Sequence, residues 1–199
     1  MIYCFQEVGV LAHTLRELAL SILLAIALFA GIDSVSARSY VEGQSMEPTL
    51  HKDQVLLISR LGMSGVTGQV YAAVHQDDRS STGGWVPPRG SICTFIHPTD
   101  PTRVLVKRVI GLPGEQIFII KGTVYINGQE LREPYVVFHD TRDLTPRRIP
   151  EDSIFVMGDN RPASNDSRAF GAVPRSHLVG VAVLRYWPLT EFRLLLGGS

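Results

Sequence analysis

The sequence predicts a β-dominated body behind a single N-terminal apolar helix. One uninterrupted apolar run, Leu18 to Ile32, lies near the start, with Ser21 as its only polar side chain. Beyond it the chain alternates short apolar segments with Gly, Pro and Asn turn signals, the spacing of strands and hairpins. No long amphipathic helix and no internal repeat follows Ile32, so an all-β or β-dominated architecture is expected.

Taken in order, residues 1–17 are mixed, with Glu7, Arg16 and Glu17 as charges among apolar neighbours. At about 1.5 Å rise per residue, the run that follows covers roughly two-thirds of a ~30 Å hydrocarbon slab. Snorkelling of Arg16 and Glu17 and extension through Ser34, Val35 and Ser36 complete a span, with Asp33 its awkward residue. Two readings compete: an uncleaved membrane anchor, or a secretory signal segment with Val35-Ser36-Ala37 as its small-residue cleavage site. A buried core helix is the third. Arg16 and His13 before the run and Arg38 after it barely discriminate an orientation.

Residues 38–61 read as extended chain around a turn at Ser45, with Gln54 to Ser59 as a strand. Residues 62–90 are rich in Gly, Ser and Asp and read as a flexible loop or insertion. Ser91 to Ile96 is a strand stopped by His97-Pro98, and Pro101 precedes another at Val104 to Ile110. Gln116–Ile120 and Thr123–Ile126 flank Lys121-Gly122 as a hairpin, and Asn127-Gly128 makes a second tight turn. Residues 132–150, charged and Pro-bounded, read as a surface excursion. Ser153 to Met157 and Val179 to Trp187 are the remaining strands.

The charge balance argues against one class of function. The 199 residues carry 19 Lys+Arg and 19 Asp+Glu, so no basic surplus exists to neutralise nucleic-acid phosphates. Charged residues make up 19% and hydrophobic residues 45%, which suits a chain partly in contact with a membrane. The two cysteines, Cys4 and Cys93, fall on opposite sides of the apolar run; if it spans a bilayer they cannot pair, and two free thiols are expected.

Chemistry concentrates in three stretches. Val41-Glu42-Gly43-Gln44-Ser45-Met46-Glu47-Pro48 sets one serine on a Gly/Pro-bounded bend, but a serine hydroxyl needs a base to take its proton. The six histidines are scattered, and none sits in a recognisable triad context. On a strand, Lys107 shares a face with Leu105 and Val109 while Arg108 faces the other way with Val106 and Ile110. A lysine among apolar neighbours loses solvation, which lowers its pKa towards that of a usable general base; the competing reading is a lysine snorkelling out at a sheet edge. The third stretch, Gly158 to Arg168, is dense in turn formers and hydroxyls. It reads either as a loop with Asx turns and an Asp166–Arg168 ion pair, or as an orienting loop whose Ser164 or Ser167 bonds the lysine amine.

Together, Ser45-Met46-Glu47-Pro48-Thr49-Leu50, Lys107 through Glu115, and Gly158-Asp159-Asn160-Arg161 with Ser164 and Asp166-Ser167-Arg168 resemble, in order, the boxes of type I signal peptidases. The bacterial branch is the nearer one, through Phe155 to Arg161, Phe170 to Arg175 and Arg185 to Pro188; the mitochondrial inner-membrane peptidases match less well. The resemblance implies a signal-peptidase/LexA-like β-barrel-type catalytic domain preceded by a single N-terminal transmembrane helix. It implies Ser45 as nucleophile, Lys107 as general base, Ser164 as the hydroxyl that orients the lysine, and Asp166 and Arg168 as a structural ion pair. Asp159 and Asn160 would form the turn packed beneath the site, and Met46 would line the substrate groove. Gly43 stands where some members carry a serine that completes the oxyanion hole, so the hole would rest on the Ser45 backbone N–H. Ser91 replaces an aspartate common after Arg-Gly.

The expected activity is removal of N-terminal signal peptides from exported preproteins after small residues, of the Ala-x-Ala kind, without metal or cofactor. Expected partners are signal-peptide-bearing preproteins, the lipid bilayer and the protein-export machinery, with no nucleic acid. The chain would divide into a short cytoplasmic segment (1–17), a transmembrane anchor (18–37) and an extracytoplasmic β-rich peptidase domain (38–199), on a single pass of the plasma (inner) membrane. Ser45 follows Ile32 by only about a dozen residues, so the site would sit close to the membrane surface, which favours the anchor reading. Self-cleavage in trans at Val35-Ser36-Ala37 stays open. The competing functions are a LexA-like autoproteolytic DNA-binding regulator, disfavoured by the apolar N-terminus and zero net charge, and an inactive membrane-tethered module that binds extended peptides.

Overall fold

The computed structural model describes residues 13, 15–27, 31, 36–60 and 85–195. The chain divides between Ser36 and Ala37 into two compact units. In the first, residues 15–27 and 31 are helical, and Ser21 returns its hydroxyl to the Glu17 carbonyl at 2.9 Å. Among the described residues no helix is long and apolar enough to cross a membrane. The transmembrane helix expected over 18–37 is therefore not met at that length: residues 28–30 and 32–35 lie outside the described residues, and Ser36 and Ala37 are already extended in strand β1. Cys4 and the 62–84 portion of the expected loop also fall outside them.

The second unit is built from two sheets. The larger runs β1 (Ser36–Tyr40), β2 (Val55–Ser59), β11 (Leu178–Trp187), β3 (Ile92–His97), β4 (Asp100–Gly111), β9 (Ser153–Met157) and β10 (Val173–Pro174), with β12 (Arg193–Leu194) also on β11. The smaller runs β7 (Gln129–Glu130), β6 (Thr123–Ile126), β5 (Gln116–Ile120) and β8 (Leu144–Arg148). β5, β6 and β9 take the bounds their sequence predicts. The β5–β6 turn places Lys121 at φ 48° and Gly122 at 84°, and Asn127 and Gly128 repeat the pattern at 51° and 84°; two consecutive positive φ values are what a tight hairpin turn requires.

β4 is longer than expected because Pro98 and Thr99 close the β3–β4 hairpin tightly, pairing His97 with Asp100. The next register pair is Ile96 with Val104, so Pro101 falls in the exposed irregularity between them, where no ladder donor is missed. The 132–150 excursion needs correction: it contains β8, whose Leu144 lies opposite Ile119, and it buries Val136, Leu144 and Ile149. Pro146 obscured that strand, yet β8 is an edge, where proline costs no internal hydrogen bond.

Every residue of β9 is buried, because both faces of the strand are covered. Phe155 and Met157 join Ile117, Val124, Leu144 and Ile149 beneath the smaller sheet. Ile154 and Val156 join Cys93, Phe95, Val109 and Leu178 on the other face. A third cluster, with Met46, Leu50, Leu56, Ile58 and Val106, lies under the turn that carries Ser45. β4 and β9 therefore form a rigid spine, and the loop after β9 leaves it directly beside that turn.

Candidate active site

The Ser45 turn is pinned on several sides. Val41 N donates to Gln54 O at 3.0 Å and Asp53 N to Val41 O at 2.9 Å, closing the base of the 41–54 loop. Within it Glu47 N donates to Gln44 O and Leu50 N to Met46 O, and the Glu47–Pro48 peptide is cis. Met46, 1% exposed, is packed in the core with Leu50 and Ile58, so its side chain anchors the turn from below. The Ser45 carbonyl accepts from Asn160 N at 3.0 Å, which ties the turn to the loop after β9.

Strand parity places Lys107 where a base is needed. Its Nζ lies 2.6 Å from Ser45 Oγ, although the two residues are 62 positions apart. The side chain is 4% exposed, so it is secluded and does not snorkel. A second bond, Nζ–H to the Val106 carbonyl at 3.0 Å, fixes the direction of the amine. Burial pulls its pKa down to about 8, against the opposing pull of the Asp166 carboxylate.

Cys93 is the register partner of Lys107 across β3 and β4, and it is fully buried. Burial pushes its thiol up to about 12, so it stays neutral and contributes bulk, not charge, to the lysine's surroundings. Cys93→Ala should admit water beside the amine and raise the lower pH limit of activity, whereas Cys93→Val should leave it in place. A pH–rate profile of the two variants measures this, and an unmoved limit in Cys93→Ala would discard the role.

The third stretch is assembled as a loop of paired charges. Asp166 accepts from Arg168 Nε at 2.8 Å and Nη2 at 2.7 Å, the two-pronged geometry suited to a guanidinium. Its carboxylate also caps the short helix Ser167–Phe170 through Arg168 N, and accepts from Gly158 N at 3.1 Å. Burial by itself would raise the Asp166 pKa, but Arg168, together with Ser164 and the Gly158 N–H, holds the carboxyl below its usual range. Asp159, fully buried, takes Arg108 Nε and Nη2 at 2.9 and 2.7 Å and also the Thr49 hydroxyl, which binds it to the Ser45 turn.

Ser164 differs from expectation. Its Oγ is buried beside Asp166 with no bond to Lys107 Nζ, whose second contact is the Val106 carbonyl. It does lie close enough to Asp166 to help lower that carboxyl. Ser167 Oγ accepts from Val156 N at 3.0 Å, which ties the short helix to β9. Gly158 lies against both Ser164 and Ser45: a Cβ there would strike both the Ser45 carbonyl and the Ser164 side chain. At Gly43 a Cβ would meet nothing within 4 Å. The Arg89-Gly90-Ser91 turn holds without an aspartate, since Gly90 exchanges bonds with Val109 O and Arg108 Nη1.

Sequence reasoning missed the residues that brace this loop from outside it. Glu133 bonds Arg161, Asp140 bonds Arg168, and Tyr135 lies under Arg108. Their only signal was acidic and aromatic residues inside a stretch otherwise read as solvent-facing.

A serine hydroxyl in contact with a buried amine, on a β scaffold, places the chain among the serine peptidases. It belongs to the signal peptidase, peptidase S26 family, which residues 15–187 match. It is 34% identical over 190 residues to the probable signal peptidase I-2 of Synechocystis sp., covering 92% of this chain and 78% of that protein. To signal peptidase I of Leptolyngbya laminosa it is 33% identical over 189 residues, covering 91% and 82%. A crystal structure of a signal peptidase I from Enterococcus faecalis aligns at 36% identity with a TM-score of 0.44, over 48% of this chain and 96% of that one. The Synechocystis and Leptolyngbya relatives bear out the bacterial branch of the resemblance.

Proposed function

We propose that this chain cuts signal peptides from exported preproteins with Ser45 as nucleophile and Lys107 as general base. The observation that carries the assignment is the 2.6 Å contact between Lys107 Nζ and Ser45 Oγ inside a buried setting. Neutral Lys107 takes the hydroxyl proton as Oγ attacks the scissile carbonyl. The Ser45 backbone N–H meets the developing oxyanion. The ammonium then returns its proton to the leaving amine, and water activated by the same lysine releases the acyl-enzyme. Arg108, Asp159 and Asn160 keep the two halves of the site in register through Thr49 and the Ser45 carbonyl.

The test is cleavage of a model preprotein by wild type, Ser45→Ala and Lys107→Ala. Both variants are expected to lose activity by roughly 10²-fold or more. Retained activity in folded Ser45→Ala would remove the dyad.

The finer placement is an N-terminal anchor in the plasma membrane with residues 38–199 on the extracytoplasmic face. Its supports are the apolar run Leu18 to Ile32, the short distance from it to Ser45, and four exposed apolar side chains in the β11–β12 region: Trp187, Leu189, Phe192 and Leu194. Alkaline extraction of membranes should leave the chain in the pellet; full release into the supernatant would refute the anchor.

A further inference from the structure

Three arginines hold the loop between β9 and the short helix, and each has a partner within residues 158–168 and another in the stretch between β7 and β8. Arg108 pairs with Asp159 and lies 3.9 Å from the centre of the Tyr135 ring. Arg161, 2% exposed, donates through Nε to Gly158 O at 3.0 Å and through Nη2 to Glu133 at 2.6 Å. Arg168 pairs with Asp166 and also donates to Asp140 at 2.6 Å. Tyr135, Glu133 and Asp140 come from one eight-residue stretch, Glu133 to Asp140, between the smaller sheet's β7 and β8, while Arg108 also donates to Gly90 O and Thr49 Oγ1.

That stretch is itself tied together. Tyr135 Oη donates to Glu133 at 3.1 Å, and the Phe138 carbonyl accepts from Arg161 N at 3.2 Å. Arg142 bonds both Asp140 and the Arg161 carbonyl, closing the far end.

We infer that Glu133, Tyr135 and Asp140 are positioning residues: they strap the Gly158–Arg168 loop against the Ser45 turn and thereby keep Lys107 sealed from water. A buried guanidinium that loses one carboxylate is left with uncompensated charge and unpaired donors, so it draws in water or moves. Movement of Arg161 or Arg168 carries Gly158, Asn160 and Asp166 with it, and through Asn160 N the Ser45 carbonyl. The strap touches neither Ser45 nor Lys107. The charged and titratable groups that act on the lysine are Asp166, Cys93, Arg103 and Asp159. None belongs to the strap, so a change in the lysine's behaviour on altering Asp140 or Glu133 reports movement of the loop and not a lost direct charge.

The inference rests on the proposed serine–lysine mechanism, and the experiment separates the two. Asp140→Asn, Glu133→Gln, Tyr135→Leu and Asp140→Glu are made in the full chain and assayed on a model preprotein, beside wild type and Ser45→Ala. Asp140→Asn and Glu133→Gln are expected to lower kcat at pH 7 by roughly 10- to 100-fold with KM little changed, the scale of a small misplacement at the reacting atoms. The acid limb of kcat should move to higher pH in both, and Asp140→Glu should recover part of the loss. In a Cys4→Ser background, Cys93 should react faster with an aromatic disulfide in these variants, a reading of the seal that needs no catalysis. Folded variants with wild-type kcat, an unmoved acid limb and an unchanged Cys93 rate would overturn the strap. If the carboxylate variants do not fold, Tyr135→Leu, which removes the ring beneath Arg108 and the Oη bond to Glu133 but leaves both carboxylates, decides by the same three readings. If wild type cleaves nothing, the mechanism fails, and the Cys93 rate alone upholds or overturns the strap.

Discussion

Lys107→Met is expected to abolish cleavage and, at neutral pH, to make the fold more stable. Loss of the base should cost roughly 10²- to 10⁴-fold in rate. The stability gain follows from the lysine's pKa, which burial has lowered from 10.5 to about 8. Below pH 8 the amine is protonated both folded and unfolded, and the native state bears the full cost of holding an ammonium out of water. That cost is about 3 kcal/mol, from a shift of this size at about 1.4 kcal/mol per pH unit. Between pH 8 and 10.5 the folded chain releases the proton while the unfolded chain still binds it, so wild-type stability rises with pH. Above 10.5 both states are neutral and the penalty is gone. Methionine fills nearly the same volume without charge. Urea unfolding at pH 7 and pH 10 should therefore show a large advantage for the variant at pH 7 that shrinks at pH 10. Equal stabilities at pH 7 would mean that the lysine is not desolvated. In the wild type the same pKa leaves about a tenth of the lysine neutral at pH 7, so activity should rise about tenfold before it levels above pH 8.

The strands were legible because their signals are local. β5 and β6 announce themselves through apolar residues closed by Lys121-Gly122 and Asn127-Gly128, turns with one favoured backbone solution. After Ser153, β9 is an unbroken apolar run, which fits a strand covered on both faces. β8 was not legible, since Leu144 is its only buried residue and its neighbours are Thr, Pro and Arg. What makes it a strand is the open edge of β5, a partner that local sequence does not contain.

The same division holds at the site. The period of two along β4 was enough to separate Lys107 from Arg108 and set each on its own face. Asp166 with Arg168 could be paired because they are two residues apart. Ser164 could not be placed by proximity in the chain. Its hydroxyl lies in the right neighbourhood, but the amine meets the Val106 carbonyl instead. The braces Glu133 and Asp140 lie 28 residues from their arginines, and nothing in their local sequence distinguishes them from solvated charges.

Gly158→Ala should damage the site as severely as the loss of a catalytic group, although residue 158 carries no reactive atom. Its backbone has no left-handed φ, so the requirement for glycine is one of space. A Cβ would overlap the Ser45 carbonyl oxygen on one side and the Ser164 side chain on the other. The backbone cannot step aside, because its N–H is held by Asp166 and its carbonyl by Arg161, both in buried charge pairs. The Ser45 turn must yield instead, and a displacement of about 1 Å between Oγ and Nζ is worth on the order of 10²-fold in kcat. Overpacking should also cost about 1–3 kcal/mol of stability. Adding Ser164→Gly separates the two effects: it relieves one overlap and leaves the other, so it should restore stability more than rate. Unfolding curves and kcat for the single and double variants measure this. Wild-type kcat in Gly158→Ala would show that Ser45 is not held by contact with the loop after β9. Recovery of rate in the double variant would assign the damage to Ser164 and not to the nucleophile's own backbone.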